Sequence, residues 1–453
     1  MKGCKAMSAA LERADEGLRA LLLRVCRRFW PVELAALAAF FALMMTRTLS
    51  QLAGAPLSLR AAAVAVLCLP LAAMLHMGLR IAREREESLL SMLGVCVLCG
   101  AAMLARVSFI ERSSGDYDIY LADWLTKLAA GSFSEGMKAN IGEYNVLYQY
   151  ILFIITRLPV PALYAVKAVS FIGDAFLAGA AARLARRDGK DSLAAFGVVL
   201  LLPTVVLNGG MYAQCDSLYA ACALWGLAQS LDGKPVRSAV CFALSLAFKL
   251  QAAFILPVVA VLWAHRRLKL RDALVFIGTL FAVMLPALLG GKSVMDILRI
   301  YTAQTGLYTG LTYNAASFFG LIHTAGLDVY AYGNFGMALA FGACALTVLA
   351  GIAMGEKAQR GDYVRLALCM VLLIVFFLPR MHERYFYMAL PLAAAYACRR
   401  KGAAVLALAL METAMLSTLW QTAITLQAAS LMMLAAAAIA LACGKEICTE
   451  HKI

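Results

Sequence analysis

Within five residues of the chain stand Arg380, His382, Glu383 and Arg384, with Pro379 before them and Tyr385 after them at the edge of an apolar run. Ionisable side chains at a membrane boundary are costly, so a cluster of them marks a site or a pathway by default. The competing reading is a snorkelling basic turn with Arg380 and Arg384 reaching headgroup phosphates, but such a turn has no need of His and Glu between the arginines. Lys249 poses the same choice, between LSLAF and Leu250-Gln251, where two short apolar runs meet. Arg380, His382, Arg384 and Lys249 have the sign to stabilise charge on an anionic leaving group such as a phosphate.

Carboxylates that could accept a proton lie upstream. Residues 111 to 145 carry six: Glu111, Asp116, Asp118, Asp123, Glu135 and Glu143. Asp116 and Asp118 sit in GDYDIY just after an apolar run; two residues apart on a helix they diverge by about 200°, so only one of them can point into a common cavity. Further along, NGGMYAQCDS places Gln214 and Asp216 at the start of another run, where Asp216 reads equally as a helix N-cap. His76, His265, His323 and His451 have no suggestive neighbours and read as bystanders.

These groups need elements to hold them, and the composition says which. Of 453 residues 63% are hydrophobic and 15% charged, against about half and about a quarter in a soluble domain. Fourteen apolar runs are expected to be helices: 30 to 49, 61 to 79, 89 to 109, 161 to 182, 191 to 207, 214 to 231, 236 to 249, 251 to 264, 272 to 290, 334 to 354, 364 to 378, 386 to 398, 403 to 419 and 424 to 443. The shortest fall below the usual spanning length and imply broken, tilted or internal helices. The fold class is therefore an all-α polytopic membrane protein with about 13 to 14 transmembrane helices.

The net charge of +14 does not imply a nucleic-acid partner, because the basic residues lie in short clusters between apolar runs rather than on one soluble face. With a cytoplasmic N-terminus, 28 of the 41 Lys and Arg fall on inside segments, as the positive-inside rule requires. Both termini are then cytoplasmic and the three charged motifs exported. Residues 145 to 158 look like a short span, but counting them as one would turn Arg183, Arg186, Arg187 and Lys190 outward. They read instead as a helix in the outer interface, and 123 to 133 as a second. The thirteen cysteines lie mostly within apolar runs and read as small hydrophobes. No His-rich or carboxylate cluster has metal-ligand spacing, so no cofactor is assigned; a single divalent ion bridging Asp116 and a substrate phosphate is left open.

The ordered set of motifs resembles a known family. An Asp in the first long exported loop, Glu143-Tyr144-Asn145 opening a surface helix, Gln-x-Asp-Ser at 214 to 217, Phe-Lys-Leu-Gln at 248 to 251 and Pro-x-Met-His-Glu-Arg-Tyr-Phe at 379 to 386 are similar to the GT-C superfamily of multispanning glycosyltransferases. Within it the chain most resembles bacterial mannosyltransferase-like proteins related to the enzyme that adds the second mannose of GPI anchors. The resemblance runs from about residue 89 to 400. It departs from the pattern in two extra spans at 30 to 88, and in Glu143-Tyr144-Asn145 where many members have Tyr-Pro-Pro.

The resemblance implies a division into a basic amphipathic lead (1 to 29), two additional spans (30 to 88), a catalytic core (89 to 400) with its exported loop at 110 to 160, and a C-terminal hairpin and tail (401 to 453). It implies inverting transfer of a hexose, mannose by family default, from a polyprenyl-phosphate sugar to a glycan, lipid or wall-polymer acceptor outside a bacterial plasma membrane. Asp116, at the family's Gly-Asp-Tyr position, is the expected base, with Asp118 the other candidate. Arg380, His382, Arg384 and Lys249 would hold the donor phosphate. Glu143, Tyr144, Asn145, Gln214, Asp216, Glu383 and Tyr385 would shape the sugar and acceptor pocket. A transporter or flippase of a lipid-linked glycan is the competing class, against which stands the lack of a repeat relating the two halves.

Overall fold

The computed structural model describes residue 16 and residues 32–47, 49–84, 89–139, 141–142, 144–187, 190–306 and 309–443. The rest of the expected basic lead, Glu143, and the C-terminal tail beyond 443 lie outside the described residues. Among the described residues regular structure is helical apart from one pair of two-residue strands, so the chain is an all-α polytopic membrane protein.

In chain order the helices are α1 (Val32–Thr46), α2 (Leu57–Arg83), α3 (Leu89–Val107), α4 (Ala122–Ala129), α5 (Phe133–Lys138), α6 (Val146–Ile155), α7 (Ala162–Ala185), α8 (Lys190–Leu201), α9 (Pro203–Gly210) and α10 (Asp216–Leu231). There follow α11 (Pro235–Phe248), α12 (Val258–Ala264), α13 (Leu270–Leu289), α14 (Val294–Gly306), α15 (Phe318–Leu321), α16 (Val329–Ala353), α17 (Arg360–Phe377), α18 (Ala389–Arg400), α19 (Ala403–Trp420) and α20 (Leu426–Ala442). Each of the fourteen expected runs contains a helix among its described residues. Among the described residues, however, six helices (α2, α3, α7, α13, α16, α19) are long and apolar enough by themselves to cross a bilayer, or seven if α8 and α9 count as one bent span. Several of the others are too short, and they are tolerated because backbone that departs from a full span is buried against protein.

The bundle is organised around α7. Its hydrophobic window is 83% buried, whereas that of α13 is 11% buried, so α7 is an axis and α13 a lipid-facing wall. Small residues make this possible: the Ala- and Gly-rich sequence of α7 lets α2, α8, α10 and α18 approach closely. At Gly173 a Cβ would stand 2.5 Å from Ser217 Oγ, so α7 and α10 could not meet there with any larger residue.

Two expected runs are interrupted, and each interruption has a local cause. Pro203 cannot donate a backbone hydrogen bond, and the chain turns by 47° between α8 and α9. The freed backbone groups find charged partners: Leu200 C=O accepts from Arg106 Nη1 at 2.9 Å, and Thr204 N–H donates to Glu412 Oε1 at 2.7 Å. Likewise α11 stops at Phe248, Lys249 is extended (φ −156°, ψ 140°), and 250 to 254 form a 3-10 turn before α12. The run expected at 251 to 264 is thus a turn plus a short helix.

The loop elements tie the additional N-terminal helices and the late turn to this core. Glu111 accepts from Ser50 Oγ at 2.8 Å and from Tyr164 OH at 3.0 Å, joining the turn between α1 and α2 to α7. Strand β1 (Thr312–Tyr313) runs parallel to β2 (Met381–His382), in register 312 to 381 and 313 to 382. That pairing fastens the long 291 to 333 segment onto the turn that carries His382, Glu383 and Arg384.

Candidate active site

The turn after α17 is built by an unusual backbone. Arg380 adopts a left-handed conformation (φ 63°) and its N–H donates to Leu311 C=O at 2.8 Å, which turns the chain back so that the following residues face the ends of α10 and α11. Arg384 Nη1 then lies 2.5 Å from Asp116 Oδ2, across 268 residues of chain. Asp116 Oδ2 also accepts from Gln214 Nε2 at 3.1 Å, and Gln214 Oε1 accepts from Tyr144 OH at 3.0 Å. Lys249 Nζ sits 5.4 Å from the Tyr144 ring centroid, within cation-π range, and donates to Asp216 Oδ1 at 2.5 Å. Five segments distant in sequence converge here.

Each segment is positioned by its own chemistry. Ser114 Oγ donates to Tyr212 C=O at 3.1 Å, bringing the Asp116 turn to the loop after α9. In that loop Ala213 is left-handed (φ 53°) and Gln214 N–H donates to Asn208 C=O at 2.9 Å. The expected N-cap role of Asp216 is not observed. Cys215 is the N-cap residue of α10, and the Asp216 carboxylate is instead buried against Lys249, its Oδ2 without a hydrogen-bond partner. A buried carboxylate demands a cation, and the break at Lys249 supplies one.

Of the five described carboxylates of the first loop, Asp116 is the one that meets the cations. Asp118 is exposed and accepts from Ser113 Oγ at 2.9 Å; Asp123 pairs with Lys127 along α4; Glu135 closes a capping box with Ser132; Glu111 is the tie to α1–α2 already described. The separation of Asp116 from Asp118 follows from their placement two residues apart in one helical turn.

His382 stacks on Tyr313 with ring centroids 4.8 Å apart and planes at 13°, and Tyr385 packs beside it at 5.3 Å. Burial, together with the positive charges of Arg384 and Lys249, pushes the His382 imidazole down to about 4, so it is neutral at physiological pH. Burial raises Glu383 while Arg384, 3.6 Å away, opposes that shift. Arg384 is itself held charged: burial works against the cation, but Asp216, Glu383 and Asp116 outweigh it. Burial holds the Tyr144 hydroxyl well above the ordinary phenol range, so it stays a donor to Gln214.

Asn145 points elsewhere: its amide donates to Leu246 C=O at 3.0 Å and lines an apolar recess of about 180 Å³ with Val146, Leu246, Val283, Met284 and Ile297. Among the described residues no three His, Cys, Asp or Glu side chains are grouped to hold a metal ion. Sequence reasoning passed over Tyr313, which has no charge to flag it, and the ionisable residues inside spans, namely Arg106, Lys167, Asp174 and Glu412. The latter carried a signal, a charge within an apolar run.

Residues 144 to 265 match the family model described as alpha-(1->6)-mannopyranosyltransferase, N-terminal domain. No curated protein gives a significant match to the chain. The matched stretch contains Tyr144, Gln214, Asp216 and Lys249 of the cluster, while Asp116 and Arg384 lie outside it. This similarity supports a glycosyltransferase of the mannosyltransferase kind, embedded in a bilayer and acting between a sugar donor and an acceptor.

Proposed function

We propose that the chain is a GT-C type glycosyltransferase that transfers a hexose, mannose by family default, from a polyprenyl-phosphate carrier to an acceptor hydroxyl with inversion. The observation that carries this reading is the partly exposed Asp116 carboxylate, poised at the edge of a buried cation cluster by Arg384 and Gln214. In the reaction the acceptor oxygen attacks the anomeric carbon, its proton passes to Asp116, and the anomeric C–O bond breaks with its electron pair going to the phosphate. A phosphate is already a good leaving group, so one carboxylate suffices where glycoside hydrolysis needs two. Arg384, Lys249 and Arg380 provide the positive charge that the departing phosphate requires, with neutral His382 a hydrogen-bonding neighbour.

The resting contacts give this proposal an order of events. The Arg384 guanidinium occupies the Asp116 oxygen that an acceptor hydroxyl has to reach. A phosphate arriving at Arg384 competes for that guanidinium and frees Asp116 as the donor seats. Gln214, Asp216, Tyr144, Glu383 and Tyr385 border the sugar. The acceptor is a glycan, lipid or wall polymer. The basic residues on alternate connections support a site on the exported face of a bacterial plasma membrane with both termini inside, and α4 to α6 at the outer interface.

The test uses the purified protein in lipid nanodiscs with radiolabelled polyprenyl-phosphate mannose and an added acceptor. Wild-type protein is expected to move label to the acceptor and Asp116→Asn to leave it on the lipid. Full turnover by Asp116→Asn would remove Asp116 as the base; in proteoliposomes, passage of intact lipid across the bilayer without transfer would replace the enzyme by a flippase.

A further inference from the structure

Lys167 lies in the second turn of α7, the most buried of the six long apolar helices, with no exposed surface. Among the described residues no carboxylate pairs with it. Its ammonium instead donates to three backbone carbonyls: Phe109 at 2.6 Å, Ile110 at 3.2 Å, and Arg112. These belong to the turns that follow α3, where helical hydrogen bonding gives way to i to i+3 contacts (Phe109 N–H to Arg106 C=O, Ile110 N–H to Val107 C=O, Arg112 N–H to Phe109 C=O). Carbonyls at such a terminus converge with few backbone donors left to answer them, and they form the negative end of the helix dipole.

A lysine buried without a counterion is costly, and charge-assisted bonds to oxygens are what offset that cost. A methionine would fill the same space within α7 without any desolvation of charge. What it would not do is hold the chain between α3 and Asp116, which is four residues beyond Arg112. From Arg112 the chain passes to Ser113, which binds Asp118, and Ser114, which binds Tyr212, and then enters the turn bearing Asp116. The ammonium is thus the anchor on the core side of this segment, and Ser114 the anchor on the site side.

We infer that Lys167 is a positioning residue: by gathering the carbonyls of Phe109, Ile110 and Arg112 it sets the path of the chain that presents Asp116 to Arg384. This rests on the reading of Asp116 as the reacting carboxylate. It adds a residue of α7, bonded to the backbone of residues 109 to 112, through which the core dictates where that carboxylate stands.

The experiment compares the full-length protein with Lys167→Met and Lys167→Arg in nanodiscs by amide hydrogen exchange and by turnover of polyprenyl-phosphate mannose. Lys167→Met is expected to speed exchange at residues 109 to 118 at least about tenfold while α10 and α17 keep their protection. Its kcat should fall about 10²-fold, the cost of a misplacement near 1 Å, with the donor KM changed by less than about threefold. Lys167→Arg, which keeps charge and donors, should lie between Lys167→Met and wild type in both readouts. Unchanged exchange at 109 to 118, or acceleration spread evenly over the chain, overturns the inference. Where Lys167→Met does not accumulate, Lys167→Gln reads the same segment, and wild-type exchange there overturns it equally. Exchange is measured whether or not the protein transfers sugar, so absence of turnover in wild type would count against the transferase reading and leave this one standing on its own result.

Discussion

Arg384 meets Asp116 at 2.5 Å with the carboxylate 44% exposed, whereas Arg106 meets Asp174 at 2.8 Å with both side chains sealed from solvent. The residue types are the same and the lengths close, yet the surroundings separate their roles. Arg106 spends its other hydrogen bonds on carbonyls of its own helix and of Leu200 at the α8–α9 break, so the pair joins three helices around a backbone defect. Arg384 shares its partner with Gln214 and stands beside Glu383 at the edge of a cluster that solvent reaches. A charge pair enclosed by helices and engaged with backbone serves the fold; one left open at a convergence of loops is available to a ligand.

The largest effect expected from breaking this contrast is on turnover. Asp116→Asn should lower the transfer rate by about 10² to 10⁴, the usual worth of a general base, while the thermal midpoint moves little because a half-open pair contributes less than about 1 kcal/mol. A matching loss of thermal stability would place Asp116 with the structural pair. Next, Arg106→Met should cost about 3 to 5 kcal/mol by leaving Asp174 buried and uncompensated, with Arg106→Met combined with Asp174→Leu recovering much of it. Scanning calorimetry in detergent reads both, and a wild-type midpoint for Arg106→Met would erase the distinction.

A smaller effect should appear with pH at His382. Its value in the folded protein, about 4, lies below the ordinary 6.5. The contribution of the neutral ring is therefore complete above pH 6.5 and is lost as pH falls toward 4, on the order of 1 to 2 kcal/mol between pH 7 and pH 5. His382→Asn should flatten that part of the stability profile; a variant with the wild-type slope would assign it to other groups. Smallest of all is Asp118→Asn, expected to leave turnover within about twofold and stability within about 0.5 kcal/mol, because that carboxylate is exposed and, among the described residues, bound to Ser113 alone. A large loss in turnover would move the reacting carboxylate from 116 to 118.

Much of the fold was legible because lipid imposes a simple rule on a chain: apolar runs become helices. Run length did not show where helices break, since the α8–α9 bend and the Lys249 break depend on where Pro203 and a charged residue find partners. The cluster was legible where ionisable residues stood at run boundaries, as Arg384, Lys249 and Asp216 do. Lys167, Arg106, Asp174 and Glu412 were overlooked because averaging over a run hides a single charge, although a charge in a span is a warning on its own. For Asp216 the sequence left a cap and a site role level, because a local rule cannot see a partner, Lys249, that lies 33 positions away.

The sequence by itself determined a helical membrane protein, its charge asymmetry, and a short set of residues worth suspecting. Those properties follow from hydrophobicity and local periodicity, which act over a few turns of helix. Only the tertiary structure decided that Asp116 and not Asp118 faces Arg384, that Asp216 answers Lys249, and that Tyr313 stacks on His382. Each of those contacts joins elements far apart in the chain, and their meeting is set by how small residues let α7 and α10 pack and by where backbone breaks can be satisfied.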